Sequence, residues 1–100
     1  MQRKKNPESI IQEQVRDALR FDGWYVIRHQ QGLGSHRGLS DLTAIKEGRT
    51  IYVEIKTPTG HLSDYQEQFK KDIENHGGVY IVCRRLEDIQ PYLTRTMQLF

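Results

Sequence analysis

Apolar residues first recur at helical spacing at Ile11, Val15, Ala18 and Leu19, and Gly23 follows as a stop. Ahead of them, Asn6-Pro7-Glu8 has the character of a helix start: an N-cap asparagine, proline at the first helical position and an acid in the first turn. The spacing predicts a helix over Pro7 to Phe21. Trp24 to Arg28 is aromatic and β-branched and reads as a strand. Gln30 to Gly38 holds three glycines and no apolar period, so it reads as a loop, ordered or mobile. Two strands, Leu39 to Ile45 and Thr50 to Thr57, flank the hairpin signal Lys46-Glu47-Gly48-Arg49, and Pro58, Thr59 and Gly60 end the second. Ser63 opens a helix to about His76, with Tyr65, Phe69 and Ile73 on one face and Gly77-Gly78 as its stop. Val79 to Cys83 is a short apolar strand, and Leu86 to Leu93 a last helix interrupted by Pro91. The predicted order is α-β-β-β-α-β-α, an α/β chain without internal repeat or linker.

One hundred residues allow one domain spanning 1–100, with residues 1–6 expected to form a flexible basic tail around Arg3, Lys4 and Lys5. At 36% hydrophobic and 28% charged, the chain can bury a small core, which argues against disorder over most of its length. No apolar run approaches the roughly 20 residues that span a bilayer, and Asn6-Pro7-Glu8 stands where a signal peptide would have its apolar stretch. The single cysteine, Cys83, excludes an internal disulfide and fits a reducing compartment. With His29, His36, His61 and His76 it shows no zinc-ligand spacing. The net charge of +2 permits a nucleic-acid partner without indicating one.

The chemistry concentrates in Ile51-Tyr52-Val53-Glu54-Ile55-Lys56. Strict alternation sends Ile51, Val53 and Ile55 to one face and Tyr52, Glu54 and Lys56 to the other. Two charges in mid-sheet are costly without assistance. With the turn centred between Glu47 and Gly48, paired residues have numbers summing to 95, which sets Asp41 opposite Glu54. Their Cβ atoms would then lie about 4.5–5.5 Å apart. Two facing carboxylates repel unless a cation lies between them. Lys56 supplies one positive charge, and a hard divalent ion, Mg²⁺ or Mn²⁺, would suit the oxygen pair better.

An Asp, a hairpin and then Glu-x-Lys on the next strand is the arrangement of the PD-(D/E)xK nucleases. Gly38-Leu39-Ser40-Asp41 with Glu54-Ile55-Lys56 resembles that signature, Ser40 standing where proline is usual. Three further features are similar to the VRR-NUC branch: Glu8-Ser9-Ile10-Ile11-Gln12, Gly23-Trp24, and Leu62-Ser63-Asp64-Tyr65-Gln66. The likeness runs from Glu8 to about Arg84. It implies a restriction endonuclease-like fold, a central mixed sheet flanked by helices, and metal-dependent hydrolysis of DNA phosphodiesters. Asp41 and Glu54 would bind Mg²⁺ or Mn²⁺, the backbone carbonyl of Ile55 would complete the shell, and Glu8 would reach the metal directly or through water. Lys56 would orient the attacking water and offset charge on the pentacovalent transition state. Gln66 would stand beside these groups.

Several residues carry a second reading. Glu8 also suits a helix dipole and nothing more; its stripe with Ile11, Val15 and Leu19 points it inward, with Glu13 as the alternative site acid. Ser63-Asp64-Tyr65-Gln66 is also a capping box. Gly32-Leu33-Gly34 lacks the helix of a dinucleotide loop and reads as a DNA-contacting loop, with His36 and Arg37 available for phosphates. His29 and Cys83 are assigned no chemical role.

Stand-alone VRR-NUC domains resemble junction-resolving enzymes of phages and bacteria. The expected activity is therefore structure-selective: a Holliday-junction-resolving homodimer in the cytoplasm of a bacterial or phage-infected cell. Met97, Leu99 and Phe100 or the first helix would form its interface. The alternatives are a flap or general endonuclease and a non-catalytic DNA-binding module of the same fold.

Overall fold

In the computed structural model, residues 6–32 and 34–94 are described. The first helix, α1 (Pro7–Phe21), has the expected bounds. The Asn6 side chain caps it by accepting from Ser9 N at 2.8 Å, so Asn6 belongs to the helix entrance rather than to a tail. Strand β1 (Tyr25–Arg28) follows. β2 (Leu42–Lys46) and β3 (Arg49–Ile55) form the hairpin. Helix α2 (Asp64–Asn75) and strand β4 (Val79–Cys83) come next. The last element, Leu86–Tyr92, is a 3₁₀ helix rather than an α-helix, with Pro91 inside it. Proline has no N–H for the ladder, which suits a short, tight helix better than a long one.

The four strands form one mixed sheet in the order β1-β2-β3-β4, antiparallel except for the parallel pair β3–β4. Glu47 (φ 51°) and Gly48 (φ 78°) turn the hairpin, two left-handed residues as a type I′ turn requires. The register pairs Leu42 with Val53 and Thr43 with Tyr52, as the turn-centred count predicts. The ladder begins at Leu42, later than expected. Gly38 is in the left-handed region (φ 78°), and a Cβ there would meet the Tyr65 carbonyl oxygen at 2.1 Å. Only glycine lets the chain lie this close to the first turn of α2, and the segment before Asp41 follows that helix instead of the sheet.

One sheet face carries the core. Ile51, Val53 and Ile55 meet Val15, Ala18 and Leu19 of α1, with Ile89 of the 3₁₀ helix in the same buried cluster. Asp22, just after α1, is buried and accepts from Trp24 Nε1 (3.1 Å), Lys46 Nζ (3.2 Å) and Thr94 N (3.0 Å), tying the ends of the domain together. The other face receives α2. Phe69 is buried and sits edge-on to Tyr52, Tyr80 and His36 at centroid distances of 5.7, 6.0 and 5.3 Å. Ile73 is half-buried, but Tyr65, expected on the same packed face, is exposed. It meets Arg37 of the 30–41 loop instead. Among the described residues, no helix is long and apolar enough to cross a membrane.

Candidate active site

Glu54 is 2% exposed and lies on the α2 side of β3. Continuing the β2–β3 register by one residue sets Asp41 opposite it. Asp41 is fixed from both sides. Its Oδ2 accepts from Ile55 N at 2.8 Å, and its carbonyl accepts from His29 N at 2.9 Å. Lys56 Nζ stands 3.4 Å from Glu54 Oε2. Gln66 Nε2 donates to the same oxygen at 3.1 Å, while Gln66 Oε1 accepts from Ser63 N at 2.9 Å. The capping box and the contact with Glu54 are thus one arrangement, since an amide offers an acceptor and a donor at once. Ser40 is fully buried and donates from Oγ to the Leu42 carbonyl at 3.0 Å, shaping the approach to Asp41.

Lys56 and Gln66 both meet Oε2 of Glu54. Its Oε1 is buried and without a hydrogen-bond partner among the described residues. Burial above all, and Asp41 after it, raise the Glu54 carboxyl from 4.5 to about 7, with Lys56 opposing. The Tyr80 hydroxyl, also buried and without a hydrogen-bond partner among the described residues, lies on the same face. Burial, then Glu54 and Asp41, push that phenol well above its ordinary range. A buried carboxylate oxygen with no donor, beside a second carboxylate, is what a hard cation would satisfy, and the donor set fits Mg²⁺ or Mn²⁺.

A raised carboxyl has a direct consequence for stability. Between about pH 4.5 and 7 the metal-free fold holds a proton on Glu54 that the unfolded chain has released. The stabilisation from Glu54 is therefore fully present below about pH 4.5 and is lost as pH rises through about 7. In EDTA, the melting temperature of Glu54→Gln minus that of the parent should grow across this window and level off above it. Parallel curves would show that Glu54 ionises normally.

The remaining expected site residues are distributed differently. Glu8 is exposed in the first turn of α1, not turned inward. The helical stripe is real, but burial along it falls off toward the start: Val15 and Leu19 are fully buried, Ile11 is half-buried against the core, and Glu8 is exposed. Glu13 is half-buried. Among the described residues, no group of three or more His, Cys, Asp or Glu is gathered for a metal, so neither Glu8 nor Glu13 joins Asp41 and Glu54 in such a group.

His36 and Arg37 are exposed but engaged with α2. The His36 ring meets Phe69. Arg37 Nη1 donates to the Tyr65 hydroxyl at 2.5 Å, its guanidinium 4.9 Å from the ring centroid. The described part of the 30–41 loop is thus docked where it meets α2. His29 lies beside Asp41, with Nε2 2.6 Å from Thr43 Oγ1; sequence reasoning missed this neighbour, as it missed Tyr80. Only the strand register could have shown either. Cys83 is buried and its thiol is pushed up to about 12, mainly by burial, which leaves it unreactive at neutral pH. Leu33, Arg3, Lys4, Lys5, Met97, Leu99 and Phe100 lie outside the described residues.

The family model of the VRR-NUC domain matches residues 2–85. A solved structure described as a VRR-NUC domain superposes with a TM-score of 0.76 at 17% identity, covering 87% of this chain and 94% of that one. No curated protein gave a significant match.

Proposed function

The chain belongs to the VRR-NUC family, a nuclease-type family with DNA as the implied partner, and from that premise we propose a metal-dependent, structure-selective DNA endonuclease that resolves Holliday junctions as a homodimer. The observation that carries the catalytic part is the buried Oε1 of Glu54 beside Asp41, without a hydrogen-bond partner among the described residues, with Lys56 on the other oxygen. A DNA-binding module of the same fold would have no use for two apposed acids, one of them buried.

Asp41 and Glu54 would hold Mg²⁺ or Mn²⁺, with the Ile55 carbonyl and Glu8 as further donors. The bound ion would supply Lewis acidity toward the scissile phosphate and its attacking water. The chain's own residues prepare that place. Ile55 N and His29 N hold Asp41 at the start of β2. Gln66 donates to Glu54 Oε2 and leaves Oε1 available. Lys56 keeps a cation beside the acids, placed to orient a water and to offset charge as it develops on phosphorus.

One such site cuts one strand, whereas resolving a four-way junction takes two symmetric nicks. The reading therefore includes a two-fold dimer and the cytoplasm of a bacterial or phage-infected cell. Nicking of four-way junction, flap and linear duplex DNA, with Mg²⁺, Mn²⁺ or EDTA, tests it together with light scattering with and without the junction. Paired nicks near the branch point by a dimer are expected. A species monomeric in both conditions that nicks flaps would replace the resolvase with a flap endonuclease. Binding without any nicking in either metal would leave only a binding module.

A further inference from the structure

After β4 the chain passes through Arg84 and Arg85 into the 3₁₀ helix, which begins at Leu86. Lys56 N donates to the Cys83 carbonyl at 3.0 Å, which extends the parallel β3–β4 pairing and brings Arg84 alongside Lys56. Arg84 is half-buried. Its Nη1 donates to the carbonyls of Thr57 (2.8 Å) and Gly60 (2.6 Å), binding down the turn that follows Lys56. Asp88 Oδ2 accepts from Arg84 N at 2.8 Å and holds the arginine's own backbone.

Beside this turn lies a cleft of about 530 Å³, lined by Ile11 and Gln14 of α1, by Pro58, and by Arg84, Arg85, Leu86 and Glu87 after β4. It opens at the carboxyl ends of the two parallel strands, where open α/β sheets place their ligands. Its charged groups are two guanidiniums and one carboxylate. Arg85 is exposed, and among the described residues it pairs with no acid, Glu87 included. Pro58 follows Lys56 by two residues, so at most about 7 Å of chain joins this lining residue to the candidate site. A positive cleft joined so closely to a phosphodiester-cleaving site suits a neighbouring stretch of the same polyanion.

We propose that this cleft holds the sugar-phosphate backbone of the cleaved DNA strand a few nucleotides from the candidate site, with Arg85 as the phosphate contact and Arg84 as its fixed floor. The inference rests on the nuclease reading and adds the path of the strand. The apolar side, Ile11 and Pro58, would face sugars, and the Gln14 amide can donate to a phosphate oxygen. A contact of this kind carries no base information, so it acts alike on every substrate.

Fluorescence anisotropy with labelled four-way junction and linear duplex, in EDTA so that nothing is cut, tests this between 50 and 200 mM salt, the range over which phosphate contacts show. Arg85→Ala should weaken both DNAs by the same factor, about 5–10-fold, and lower the slope of log Kd against log salt by about 0.9. Arg85→Lys should restore most of the slope. Glu87→Gln, which removes the one acid of the cleft, should tighten both. An Arg85→Ala protein that binds as the parent does, with an unchanged slope, overturns the cleft and leaves the nuclease reading standing. A loss confined to one of the two DNAs also overturns it, since it would mark structure-specific readout. A parent that binds neither DNA overturns both proposals.

Discussion

Lys56→Ala is expected to lower the cleavage rate by at least about 10²–10³-fold while leaving DNA binding largely intact. The lysine sits at the end of β3 with its side chain only 15% exposed and Nζ 3.4 Å from Glu54 Oε2. In the resting site it opposes the effects that raise the Glu54 carboxyl. Its larger role would come later, because negative charge grows at phosphorus only as water adds. A cation already in place, held by an acid and shielded from solvent, needs little reorganisation at that moment. An interaction made mainly in the transition state appears in the rate and not in the affinity. Single-turnover cleavage beside anisotropy in EDTA separates the two. Residual cleavage within a few-fold of the parent would remove Lys56 from the mechanism.

The parts of this site that were legible in the sequence are those set by short-range geometry. Lys46-Glu47-Gly48-Arg49 specifies a two-residue turn, the turn specifies the register, and the register brings Asp41 to Glu54 across 13 residues of chain. Alternation along β3 then separates the core residues Ile51, Val53 and Ile55 from the polar row. Glu8 shows where that reasoning stops. Periodicity gives the angle of a side chain around a helix axis, but not how far along that axis the partner sheet extends. The stripe is correct in angle from Ile11 to Leu19, yet burial along it fades before Glu8, which is exposed. The 30–41 loop shows a second limit. Its glycines left order and mobility open, whereas Gly38 serves a close approach to the Tyr65 carbonyl, a contact between residues 27 apart with no local signature. Asp22 is a third case. Nothing local marks this acid for burial, and Trp24, Lys46 and Thr94, which meet it, are brought together by the fold.

Mg²⁺ is expected to raise the melting temperature of the parent, and Asp41→Asn to lose most of that rise. A ligand that binds only the folded state at 100 times its Kd contributes about 2.7 kcal/mol, and a domain of this size gains about 4–8 °C per kcal/mol. The variant is conservative where the fold needs it to be. An asparagine carbonyl can still accept from Ile55 N, the 2.8 Å bond that positions the side chain. What disappears is the charge, which is the second largest cause of the raised Glu54 carboxyl. The two carboxylates repel when no cation is bound, so the metal-free Asp41→Asn protein should melt no lower than the metal-free parent and should show a lower Glu54 pKa. A ligand removed for a merely structural reason would behave in the opposite way, lowering the metal-free melting temperature and sparing the shift. Scanning calorimetry of both proteins, with EDTA and with saturating Mg²⁺, distinguishes the cases. An equal metal-induced shift in parent and variant would exclude Asp41 as a ligand and leave Glu54 Oε1 to be satisfied by a group other than a metal held between the two acids.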